Sequence, residues 1–141
     1  MAIVQGICTD FLVEKLKGTH NLLSDAIKFA LYDSDLAELG PDTTAYTTTG
    51  EITGTGYTAG GATLAGIAIS VIDRVVVVDF NEVTFANLLI TADGALIYND
   101  KAAGKPAIAV LKFLEPISSN NSTWRFDPPS PTKEQAILRF A

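Results

Sequence analysis

His20 is the single imidazole in the chain and Cys8 the single thiol. Together they could form a thiolate–imidazole pair, and Thr19 or Ser24 could serve as a hydroxyl nucleophile beside the same base. Neither arrangement has its supports. A reactive thiolate needs an electropositive setting, whereas Asp10 flanks Cys8, and no G-x-S-x-G turn presents a serine. The expected roles are a buried cysteine ahead of a helix and a loop histidine. Gly54-Thr55-Gly56-Tyr57-Thr58-Ala59 matches the letters of a dinucleotide fingerprint. That motif works only between a strand and a helix N-terminus that meets the pyrophosphate. Gly60, Gly61 and a period-two run follow here, so a turn or bulge is expected. Asp33, Asp35, Glu38 and Asp42 form an oxygen-rich run of the type that binds calcium. The run lacks the order of an EF-hand loop and reads as a solvated acidic loop. Trp124 could stack on a sugar or base, but with Phe126 two residues on it reads as strand packing, with Arg125 between them facing solvent. Asn120-Asn121-Ser122-Thr123 holds two sequons by pattern and reads as a polar turn. No catalytic, metal-binding or cofactor-binding residue is assigned, and no enzymatic activity or cofactor is expected.

Composition narrows the field in the same direction. The 141 residues carry a net charge of −6, 48% hydrophobic residues and only 18% charged ones. A chain of this length forms one domain with a core large enough to need no disulfide or metal. The acidic balance opposes a nucleic-acid surface, which needs clustered Lys and Arg. No apolar run approaches the ~20 residues of a membrane span, and no basic n-region of a secretory signal is visible at the start.

The elements that would position these side chains are mostly strands. Residues 9–18 place Phe11, Leu12, Val13 and Leu16 within two helical turns, with Thr9 or Asp10 as cap and Gly18 as stop. Residues 25–32 alternate Ile27, Phe29 and Leu31 against Lys28, Ala30 and Tyr32, the pattern of a half-buried strand. Residues 33–42 read as a loop with one helical turn. Eight of the sixteen residues in 43–58 are Thr, interrupted by Gly50, Gly54 and Gly56. This polar stretch is expected on a sheet edge or an oligomer contact. In residues 64–80 a turn or kink at Ile72-Asp73-Arg74 separates two strands, the second covered in part on both sides. A bulge or tight bend is expected at Ala86-Asn87, a turn at Asp93-Gly94 and another at Ser118 to Ser122. Residues 107–114 read as a strand. Pro128, Pro129 and Pro131 imply an extended passage. A last strand over 135–140 points Ala136, Leu138 and Phe140 inward. Seven or eight short strands with a single helix predict a mainly β chain: one antiparallel β-sandwich or jelly-roll-like domain over residues 1–141. A terminal arm over 1–8 could reach a neighbouring subunit, or form an ordinary strand of its own sheet.

Several segments together resemble a family of small virion structural proteins of tailed bacteriophages. They are Asp10-Phe11 with Leu16-Lys17-Gly18-Thr19-His20, Ile27 through Tyr32, Thr44-Ala45-Tyr46-Thr47, Gly54 through Leu64, Gly94 through Asn99, and Ala136-Ile137-Leu138-Arg139. The Gly-Thr-Gly-Tyr-Thr-Ala-Gly-Gly run is the most specific of these. The resemblance implies a capsid decoration, or cement, protein. Such a protein would be made in the host cytoplasm and placed on the capsid exterior, where it binds across major capsid protein subunits and itself forms a homodimer or homotrimer. A head–tail connector or tail protein is the alternative, with a carbohydrate-binding β-domain behind both. Weak contacts repeated across a shell sum to strong attachment. The residues expected at subunit contacts are Ile3, Val4, Thr47, Thr49, Thr53, Thr55 and Tyr57. Neither nucleic acid nor membrane is an expected partner.

Overall fold

Period-two alternation builds most of the molecule. A computed structural model describes residues 2–129 and 137–140. In chain order the elements are β1 (Gly6–Ile7), α1 (Thr9–Lys17), β2 (Ile27–Tyr32), β3 (Ala62–Thr63), β4 (Ala68–Ile72), β5 (Val75–Asp79), β6 (Val83–Asn99), β7 (Ala107–Phe126) and β8 (Leu138–Phe140). They form a five-stranded sheet, β1-β7-β6-β2-β3, and a three-stranded sheet, β4-β5-β8. Every pairing between these strands is antiparallel. The chain is therefore mainly β, with a sandwich-like arrangement and one short helix. Among the described residues no helix is long and apolar enough to cross a membrane. Residue 1 of the expected arm, Pro131 of the extended passage, and Gln135 and Ala136 of the expected last strand lie outside the described residues.

α1 forms where its pattern lies, but with a different cap and a narrower buried face. Cys8 occupies the N-cap position with extended backbone and no side-chain capping bond, in place of Thr9 or Asp10. Gly18 ends the helix in the left-handed region, its N–H directed at the carbonyls of Glu14 and Lys15. Only Phe11 is buried, while Leu12, Val13 and Leu16 stay exposed.

β2 is buried on both faces, not one: Ile27 and residues 29–32 are all buried. Ile27 and Phe29 face the smaller sheet. A small apolar space there is lined by Ile27, Val78, Phe80, Ile97, Ile108 and Leu138, and Phe29 packs on Phe126 with ring centres 5.1 Å apart. Residues 33–61 wrap the β2 edge and cover the opposite face. Ile52 N–H bonds the Leu31 carbonyl at 3.1 Å, and the Tyr32 hydroxyl donates to the Thr47 carbonyl at 2.6 Å.

Two of the expected chain irregularities are present and two of the expected turns are not. Asp73 and Arg74 both have positive φ and close a two-residue hairpin between Ile72 and Val75. The register slips between Phe85 and Leu88, where Asn87 has φ 52°, as a bulge requires. Asp93-Gly94 is not a turn: β6 runs through it, with one register shift between Ala92 and Gly94. Residues 118–122 are not a turn either, because β7 is continuous and Asn121, at φ 58°, takes up the irregularity. Within residues 33–42 the expected helical turn is present, with Ala37 N–H bonding the Asp33 carbonyl at 2.8 Å.

Candidate functional site

Residues 43–58 converge on Glu51, the only acidic side chain in the stretch. Its carboxylate accepts three hydrogen bonds. Tyr46 hydroxyl donates to Oε1 at 2.6 Å. Tyr57 hydroxyl and Gly60 N–H donate to Oε2, the latter at 2.7 Å. Tyr57 hydroxyl also accepts from Leu31 N–H at 3.1 Å. Tyr98 hydroxyl donates to the Gly60 carbonyl at 2.7 Å, and its ring stacks on Tyr46 with centres 4.6 Å apart. With Tyr32 on Thr47, all four tyrosines of the chain hold residues 33–61 to the large sheet. Burial pushes all four phenols up, Tyr46 to about 12, so they remain protonated donors. Beside Glu51 the like charge and the accepted bond raise Tyr57 further.

The expected contact residues divide in two. Ile3 is 5% exposed, sits in the chain's own core and bridges Leu39 in parallel. Tyr57 is half-buried, stacked on Phe85 with ring centres 5.8 Å apart. Thr47 is half-buried, and its Oγ1 accepts from Thr49 N–H at 3.1 Å. Val4, Thr49, Thr53 and Thr55 are exposed. Thr55 also pairs with the edge of β6, its carbonyl accepting from Leu89 N–H at 2.9 Å. Gly56 meets the Ala86-Asn87 bulge, where a Cβ would stand 2.5 Å from the Asn87 carbonyl oxygen. The fingerprint-like run is thus a close backbone contact between the segment and β6, and β3 follows it, not a helix.

His20 lies in a second polar cluster. Its side chain is 1% exposed, with Nε2 3.1 Å from Glu14 Oε1. Nδ1 is 3.1 Å from Asn99 Nδ2, which also donates to Asp25 Oδ2 at 2.8 Å. Asn99 Oδ1 accepts from Lys101 N–H and Ala102 N–H, both at 3.0 Å, so the amide nitrogen faces the ring. Nδ1 therefore accepts, and Nε2 carries the hydrogen toward Glu14. Both ring nitrogens are engaged, which leaves neither for a substrate. Asp25 is held below the usual carboxylate range by Asn21 N–H first, then the Asn99 amide, with Lys101 adding to the effect. The Cys8 thiol is fully buried and pushed up to about 12 by burial, with Asp10 and Glu14 adding to it. It bonds the Gly40 carbonyl rather than His20.

The remaining candidates are also spent on packing or pairing. Trp124 is half-buried between Phe85, Phe113 and Phe126. Arg125 pairs with Glu82 of its own chain at 3.4 Å. Among the described residues no three His, Cys, Asp or Glu side chains gather in a group able to hold a metal. Sequence reasoning missed Glu51 and Asn99. A lone carboxylate midway between Tyr46 and Tyr57 was the available signal for the first; for Asn99 no local signal existed. No family model, curated protein or solved structure matches the chain.

Proposed function

We propose that this chain is a virion structural protein of a tailed bacteriophage. In this reading it is a capsid decoration protein that binds across major capsid protein subunits on the outside of the shell. One observation carries the reading beyond the sequence resemblance. The single charge of residues 43–58 turns inward onto Tyr46, Tyr57 and Gly60. What remains outward is uncharged and small, with Thr49, Thr53 and Thr55 all exposed. Interface centres are depleted of charge, because each buried ion costs desolvation. Exposed threonines offer another protein hydroxyl groups and methyls with no ionic group to strip of water. Many copies on a repeating lattice would turn a weak contact into a persistent one.

The test is the copy number of this chain in purified particles, by quantitative mass spectrometry against the major shell protein. Near parity with shell subunits is the expected result. A small fixed number per particle would replace the shell with the head–tail junction or tail. Absence from the particle would overturn the virion reading altogether.

A further inference from the structure

Two long stretches of sheet edge that have no paired strand among the described residues are built differently. β1 covers only Ala109 and Val110 of β7, which among the described residues leaves the remainder of that strand toward Phe126 as an edge. That edge is guarded. Gln5 Oε1 takes the Lys112 N–H at 3.1 Å, Glu115 adds a charge, Pro116 removes a donor and Asn121 breaks the register. Proline, charge and bulges are the devices by which edges avoid other strands. β4 carries none of them. It reads Ala-Ile-Ser-Val-Ile, pairs with β5 in unbroken register, and has no partner on its other side among the described residues. Ile69 is 45% and Val71 67% exposed. Both lie on the same face as Val76 and Val78, beside an apolar groove of about 510 Å³ that Phe11, Leu22, Leu23 and Phe140 also line.

We infer that β4 is the site at which a second copy of this chain adds, antiparallel, about a two-fold axis at Ser70. The occupant is identified by self-complementarity. Across that axis Ser70 faces its own copy, Ile69 faces the partner's Val71 and Ala68 faces the partner's Ile72. Bulky β-branched residues thus pair with each other on one face, the pairing that stabilises sheets. The axis carries a small hydroxyl, and no charge opposes a like charge. The two three-stranded sheets become one of six strands. The contact consumes both open edges, so it closes at two copies rather than growing. Among the described residues the new outer edges are the two three-residue β8 strands. This inference stands on the strand alone and does not depend on the virion reading.

Sedimentation equilibrium of the full chain tests it. The expected mass is twice the 14.9 kDa of the chain. The double variant Ile69→Lys, Val71→Lys sets ammonium groups opposite one another across the axis and is expected to sediment as a monomer. The double variant Ile69→Glu, Val71→Lys sets a carboxylate opposite each ammonium and is expected to remain a dimer. Leu114→Lys, on the guarded edge, is expected to leave the mass unchanged. Hydrogen exchange of the wild type over a dilution series needs no variant: the Ile69 and Val71 amides, which alternate with those bonded to β5 and point to the open edge, are expected to lose protection as the dimer dissociates. A monomeric wild type, a two-lysine variant that stays dimeric with native circular dichroism, or protection at Ile69 and Val71 that ignores dilution would each overturn the proposal.

Discussion

The two coverings of the large sheet use opposite physics. On one face Phe29, Phe80 and Phe126 stack with Val78 and Leu138 of the smaller sheet. That layer is held by area removed from water, which is non-directional and tolerant of small shifts. On the other face residues 33–61 have little regular structure and are fixed by oriented bonds from Tyr32, Tyr46, Tyr57, Tyr98 and Glu51. Directional layers fail differently: each bond is modest, but a buried group left unpaired is costly. The apolar layer should therefore respond to lost volume, and the polar layer to lost hydroxyls and to backbone strain.

The largest effect is expected where the polar layer touches β2 most closely. Gly61 has φ +82°, and a Cβ there would overlap the Phe29 carbonyl. Gly61→Ala combines left-handed strain with that overlap and is expected to cost about 3–5 kcal/mol. Gly104 has φ +78° with nothing near its missing Cβ, so Gly104→Ala should cost only about 1–2 kcal/mol. Urea unfolding of both variants separates strain from contact. Equal losses would show that residue 61 does not press on β2.

The same contrast explains what could be read in the sequence. β2, the Asp73-Arg74 hairpin and the Asn87 bulge announced themselves, because period and turn chemistry are local properties. Asp93-Gly94 and Ser118 to Ser122 misled for a physical reason. Turns and bulges both recruit Gly, Asn and Asp for the same backbone freedom, and only the partner strand decides between them. Here β6 and β7 pair along almost their whole length. The spacing of Phe11, Leu12, Val13 and Leu16 marks a helix and says nothing of how wide its covering is, and only Phe11 is buried. Tyr32 looked like the solvent side of a half-buried strand, and what covers it lies fifteen residues on, at Thr47. Among the candidate contact residues, the sequence could not separate the outward Val4, Thr49, Thr53 and Thr55 from Ile3 and Tyr57, which the fold turns inward.

A direct comparison of the layers uses Phe29→Ala and Tyr57→Phe. Phe29 is fully buried, and its truncation should cost about 3–5 kcal/mol. Tyr57→Phe keeps the ring and strands Leu31 N–H, for about 1–3 kcal/mol. Tyr46→Phe and Tyr57→Phe should be non-additive, because they share one carboxylate, with a coupling of about 0.5–3 kcal/mol in a double-mutant cycle. Strict additivity would mean that Glu51 does not tie the layer together.

The smallest effect is one of pH and concerns Asp93, which anchors the start of the polar layer from within β6. Burial by itself would raise its carboxyl. The Ser34 hydroxyl, the Ser34 N–H at 2.6 Å and the Lys112 ammonium at 3.4 Å outweigh it, and the group is held below the usual carboxylate range. The unfolded chain then takes up a proton before the folded one does, so the contribution to stability is full above the ordinary Asp value, about pH 4. It falls away as pH drops through that value toward the folded one. Asp93→Asn removes the titration, and its stability relative to wild type should be lowest near neutrality and recover in acid. Urea midpoints at about pH 7 and about pH 3 measure this. Asp25 is lowered as well, so the acid limb should shrink and not vanish. A difference between variant and wild type that is the same at both pH values would mean that Ser34 and Lys112 hold the Asp93 side chain by shape rather than by its charge.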